Sequence, residues 1–142
     1  MIAAATSNVP AASFEKIDVK DFNPPTGVQY DAVTVYFSLI ASVSQAQIAD
    51  TFRRVYSWLK DGGIFVFATV PIDGENMEIQ WMGRDIVATS LSREKVLREV
   101  KGCGFEVVKE ESSKFLPKAV EAGICKEDEI WEEEHLFVFA RK

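Results

Sequence analysis

The chain has 142 residues, 47% of them hydrophobic and 27% charged, with a net charge of −6. That length suffices for one domain with a core of its own, and the composition is that of an ordinary globular chain. The negative charge repels phosphate backbones and anionic lipid surfaces, so neither nucleic acid nor a membrane is an expected partner.

Residues 1–13, MIAAATSNVPAAS, are mildly apolar but lack a basic start and a long apolar centre, so they do not read as a signal peptide. No apolar run is long enough to cross a bilayer. With two cysteines (Cys103 and Cys125) and one histidine (His135), no zinc-ligand spacing exists, and the thiols are expected to be reduced. A cytoplasmic location is the expectation.

Met1–Ser7 reads as a helical turn or a frayed tail, broken by Asn8-Val9-Pro10. Phe14–Val19 is a short strand candidate. Asn23-Pro24-Pro25 and Gly27 then force an irregular connection. Ala32–Ile40 is almost wholly apolar and β-prone, which predicts a central strand covered on both faces.

Ser44 followed by Gln47 has the spacing of a capping box, and Ile48, Phe52, Val55 and Leu59 form one stripe of a helix over Gln45–Lys60. Gly62-Gly63 predicts a left-handed cap at its end, and Ile64–Val70 a second buried strand. Pro71–Leu91 reads as loop plus a short helical turn. Ser92 caps a helix running to Lys101, with Val96, Leu97 and Val100 inward.

Phe105–Glu110 is the next strand. Lys114–Glu134 is an acidic excursion with helix expected around Pro117–Ala122, and the acidic run within 126–134 reads as a solvated face. Leu136–Ala140 is the final strand. Strands alternating with helices argue one α/β domain over residues 1–142, its sheet mostly parallel and its last strand antiparallel.

The motifs YDAV, the apolar run to SLI, RRVYSWLKDGGIFVFATV, GCGFEVVKEE and HLFVFARK resemble the second half of small-molecule class I S-adenosylmethionine-dependent methyltransferases. The resemblance covers most of the chain from Asn8 onward and implies an incomplete Rossmann-like sheet. The full order of that family is 3-2-1-4-5-7-6, and strands one and two are expected to be missing. The resemblance places Asp18 near the adenine of S-adenosylmethionine, should that cofactor bind.

Two features of the family are absent from this sequence. The glycine-rich turn and the ribose-binding acid have no counterpart, although close backbone approach and paired hydroxyl acceptance require them. Where related enzymes often read SLIHVP, this chain reads Ser38-Leu39-Ile40-Ala41-Ser42-Val43, and Ala41 has no proton to move. His135 opens the last strand and reads as structural.

The expected function is therefore a degenerate methyltransferase fold working without S-adenosylmethionine, as a cyclase or isomerase of an apolar natural product. Tyr36, Phe37, Ser38, Met77, Trp81 and Met82 are the expected pocket residues, with Asp73 as polar assistance beside Asp31 and Asp85. Catalytic residues are not identified by the sequence. Two alternatives stand beside this expectation: a methyltransferase completed by a partner chain or a dimer, and a non-catalytic regulator of a full-length methyltransferase. The exposed edge of the fourth strand predicts a homodimer.

Overall fold

The computed structural model describes residues 1–142. The elements run α1 (Ile2–Asn8), β1 (Tyr30–Tyr36), α2 (Gln45–Trp58), β2 (Leu59–Thr69), β3 (Gly74–Trp81), β4 (Arg84–Ser90), α3 (Arg93–Gly102), β5 (Glu106–Phe115) and β6 (Glu133–Arg141), with a 3-10 turn at Glu127–Glu129. One sheet has the order β1-β2-β6-β5, and β3-β4 form a separate hairpin. β1 is parallel to β2, while β6 is antiparallel to both of its neighbours. Three strands thus share one direction and the last opposes them, as the sequence led us to expect. The order corresponds to strands 4-5-7-6 of the full sheet, which puts β1 at an edge.

The core lies between one face of this sheet and the helices α2 and α3. Phe52 of α2 packs against Phe65 and Phe67 of β2, with ring centroids at 5.6 and 4.8 Å. Val96 and Val100 of α3 meet Leu136, Val138 and Ala140 of β6, all fully buried. Each such large apolar side chain contributes about 1.5–3 kcal/mol by leaving water. α1 buries none of its residues. No helix is long and apolar enough to cross a membrane.

The caps form as the sequence demands. Ser44 Oγ accepts from the Gln47 amide at 3.1 Å, and Gln47 Oε1 accepts from the Ser44 amide at 2.7 Å. Ser92 Oγ accepts from the Lys95 amide at 3.2 Å.

Five expectations are corrected. The strand read over Ala32–Ile40 as covered on both faces is β1, which ends at Tyr36, lies at the sheet edge and buries only Val35, because no strand pairs on its other side. Phe14–Val19 is no strand. The guanidinium of Arg54 draws this segment's end toward α2, donating to the carbonyls of Val19 at 3.2 Å, Lys20 at 2.9 Å and Phe22. α2 ends at Trp58 with Leu59 already extended (φ −84°, ψ 144°), so Gly62-Gly63 caps nothing. Gly62 (φ +79°) instead lets β2 bend, and the Gly62 and Gly63 backbones exchange bonds with Lys142 at 2.9 and 3.0 Å.

Pro71–Leu91 is the β3–β4 hairpin, turned through Met82 (φ 49°) and Gly83 (φ 73°), the double positive φ of a tight hairpin turn. Pro117–Ala122 forms turns rather than helix, and the neighbouring strands run longer than expected.

Candidate functional site

β1 and β2 end side by side, and the β3–β4 hairpin folds back over their carboxyl ends. The Thr89 amide donates to the Ile40 carbonyl at 2.7 Å, the Asn76 amide to Thr89 Oγ1 at 3.0 Å, and Ser90 Oγ to the Val70 carbonyl. Period-2 pairing puts Ile79 opposite Ile86 and Met77 opposite Ala88, so one face of the hairpin is apolar.

Between this face and the sheet lies a cavity of about 330 Å³. Phe37 and Ile40 from the end of β1, Val70 and Ile72 from beyond β2, and Ile79, Trp81, Ile86 and Ala88 from the hairpin line it. Phe115, Trp131, Glu133 and His135 close it from the far side, and Ser90 adds one hydroxyl.

The polar groups are ordered around Glu133. The Trp81 indole N–H donates to Glu133 Oε1 at 2.5 Å, and Glu133 Oε2 lies 3.3 Å from His135 Nε2. Both side chains are largely removed from solvent, His135 at 17% exposure and Glu133 at 10%. The imidazole sits between Phe37 and Phe115, with ring centroids at 4.7 and 4.9 Å.

The backbone around the cavity is strained. The five non-glycine residues with positive φ are Phe37, Ser42, Asp73, Asn76 and Met82, each within three positions of a lining residue. A bulky aromatic such as Phe37 at φ 48° is held there by its surroundings, and such strain concentrates at ligand sites.

Of the residues expected from sequence, Phe37 and Trp81 line the cavity. Tyr36 is 52% exposed on the opposite face of β1. Ser38 and Met77 are not lining residues, and Met82 forms the hairpin turn. Asp73 pairs with Lys95 Nζ at 2.7 Å and accepts from Gln45 Nε2 at 3.1 Å. The Lys95 bond, against some desolvation, holds its carboxyl below the ordinary range.

Asp31 pairs with Lys60 at 2.7 Å in solvent, and Asp85 is on the outer face of the hairpin. Glu133 and His135 were not expected as pocket residues. Their i,i+2 spacing in a strand puts both side chains on one face, which is the sequence signal that locates them together.

S-adenosylmethionine, which the fold family implies, is not fitted by the residues present. Asp18 is committed to Lys20, whose amide and ammonium both lie 3.1 Å away and lower its pKa. Gly27, the one glycine before Gly62, sits in a turn closed by Val28 N–H to the Pro25 carbonyl at 3.0 Å, not at a helix start.

A second, more open groove of about 420 Å³ runs along the free edge of β1. Its walls are Ile17, Val19, Phe22 and Trp58 on one side and residues 32–35 of β1 on the other.

No protein-family model matches the sequence, and no curated protein matches it. Solved structures do. An S-adenosylmethionine-dependent methyltransferase from Mesorhizobium loti superimposes with TM-score 0.65 at 19% identity, over 100% of this chain and 76% of that one. A protein from Listeria monocytogenes assigned to the same enzyme class gives TM-score 0.73 at 17% identity, over 100% of this chain and 75% of its own. The [4+2]-cyclase SpnF gives TM-score 0.65 at 16% identity, over 99% of this chain and 60% of SpnF. The fold of this chain is that of the class I S-adenosylmethionine-dependent methyltransferases.

Proposed function

We propose that the chain is a small-molecule enzyme of the cyclase or isomerase type, acting on an apolar natural product without S-adenosylmethionine. The observation that carries this reading is the cavity under the hairpin. It lies at the carboxyl ends of β1 and β2, where α/β folds bind ligands. Its volume of about 330 Å³ suits a small ligand, and ten of its thirteen lining residues are hydrophobic. Holding a flexible apolar molecule in one reactive conformation lowers a unimolecular barrier with no donor molecule. The resemblance of the fold to SpnF, a [4+2]-cyclase, is in keeping with such a use.

The test is incubation with a panel of conjugated polyenes and aryl ketones, with S-adenosylmethionine withheld and products followed by mass spectrometry. A new product of unchanged mass, formed faster than the uncatalysed background, is the expected result. No conversion, together with no change in the fluorescence of Trp81 and Trp131, overturns the reading.

A second reading, methyl transfer completed by another chain, is favoured by the free edge of β1. The Phe37 amide donates toward β2, to the Ala68 carbonyl at 2.9 Å. Alternation along the strand therefore turns the backbone groups of Ala32, Thr34 and Tyr36 outward, without a ladder partner. The same edge also fits a second copy of the chain, which brings no glycine-rich turn, so the donor site of this second reading would come from a different chain. A twofold axis at Thr34 sets Ala32 opposite Tyr36 and Val33 opposite Val35 of the second copy, small against large and with no like charges facing. A product heavier by one methyl group, formed only when S-adenosylmethionine is added, distinguishes this reading from the first.

A further inference from the structure

We propose that His135 is a general base that removes a proton from a carbon acid held in the cavity, with Glu133 as its positioning residue. This rests on the cavity being a substrate site and adds the substrate class and the reacting atom.

An indole nitrogen only donates, so Trp81 fixes Glu133 Oε1 as an acceptor at 2.5 Å. The other oxygen, Oε2, then faces His135 Nε2 at 3.3 Å. A carboxylate at that place assigns the hydrogen to Nε2 and leaves the lone pair on Nδ1.

No protein group bonds Nδ1, yet it is not sealed in. The one buried side-chain polar atom without a partner is Oε2 of Glu110. Nδ1 therefore borders open space, and the ring is part of the cavity wall. Phe37 and Phe115 hold the ring on its two sides, so it presents a fixed edge. The arrangement of acceptor, imidazole and open lone pair is the general form of an oriented base.

The walls define the substrate class. Apart from Ser90, Glu133 and His135 they are hydrophobic, so the substrate is neutral and largely apolar. It carries one C–H bond acidified by conjugation to a carbonyl or a comparable group. Nδ1 takes the proton, the C–H electron pair moves into the conjugated system, and the imidazolium formed is paired with Glu133. The same proton returned to a different carbon completes an isomerisation, which consumes no co-reactant.

The test uses 5-nitrobenzisoxazole, a flat neutral probe. A base takes its C3 proton, the electron pair forms the nitrile, the N–O bond breaks and a coloured phenolate leaves. Quenching of Trp81 and Trp131 by the probe reports occupancy independently of turnover. The wild-type chain is expected to exceed free imidazole at equal concentration. His135→Gln is expected to lose about a hundredfold in kcat with probe binding unchanged. Glu133→Gln is expected to lose about tenfold in kcat at unchanged KM, because the wrong tautomer is then admitted.

Quenching with no rate above imidazole, or a His135→Gln variant as fast as wild type, overturns the base and leaves the cavity standing. A Glu133→Gln variant equal to wild type overturns the positioning role. Absence of quenching overturns the inference together with the reading of the cavity on which it rests.

Discussion

Trp81 and Glu133 are separated by 52 residues in sequence and joined by a hydrogen bond of 2.5 Å from the indole nitrogen to Oε1. One lies at the tip of the β3–β4 hairpin and the other at the first residue of β6. Through this bond the far wall of the cavity is attached to the main sheet. Elsewhere the hairpin is hydrogen-bonded to the rest of the chain at its base, where Glu75 Oε2 accepts from the Gln45 amide, the Thr89 amide donates to Ile40, and Ser90 meets Val70 and Gln45.

Trp81→Phe keeps the apolar wall and removes the donor. Trp81 is 38% exposed, so the global cost is expected to be only about 1 kcal/mol in urea unfolding. The local effect is larger. Hydrogen exchange of the β3–β4 amides is expected to accelerate while that of β2 amides stays unchanged.

Gly104 combines two constraints. Its φ is +101°, and a Cβ there would lie 3.1 Å from the Tyr56 ring carbon Cζ and hydroxyl. Tyr56 is in turn packed edge-on to Phe105 at 4.9 Å. Gly104→Ala is expected to destabilise by about 2 kcal/mol, the sum of backbone strain and crowding. Adding Tyr56→Leu relieves only the crowding, so the double variant should recover part of the loss by denaturant titration.

Arg54 fastens the segment before β1 by its three carbonyl bonds, and its guanidinium lies 5.1 Å from the Trp58 ring centroid. Phe22 meets the same indole edge-on at 5.2 Å. Arg54→Ala is expected to release this segment while the sheet stays folded. Trypsin cleavage after Lys16 or Lys20 should then accelerate about tenfold, in line with about 1.4 kcal/mol of lost local stability.

A lysine at the centre of the free edge opposes strand addition. If β1 pairs with a second copy, light scattering of the wild-type chain gives twice the 15.9 kDa of one chain, and Thr34→Lys gives the monomer. A wild-type monomer at 100 µM excludes the pairing.

The parts legible in the sequence were those fixed by local chemistry. The Ser44–Gln47 cap, the Ser92 cap and the buried run of β2 each depend on residues within a few positions of one another. The hairpin escaped because its turn is Met82-Gly83 rather than an asparagine–glycine pair, although the alternation of Met77, Ile79 and Trp81 with Glu78 and Gln80 was present. Phe14–Val19 has the residues of a strand, but a strand needs a neighbour, and Arg54, 32 to 35 residues away, holds the carbonyls at the segment's end and just beyond it. The role proposed for His135 is not legible in the sequence, because it depends on the hairpin that brings Trp81 to Glu133.

β6 lies in the interior of the main sheet and yet follows every other strand in the chain. During synthesis, β2 and β5 emerge first with nothing between them. Each then offers unsatisfied backbone groups to any passing peptide until residues 133–141 have left the ribosome. The nascent chain is thus most vulnerable to aggregation after β5 has emerged and before β6 has, and chaperone demand should peak in that interval.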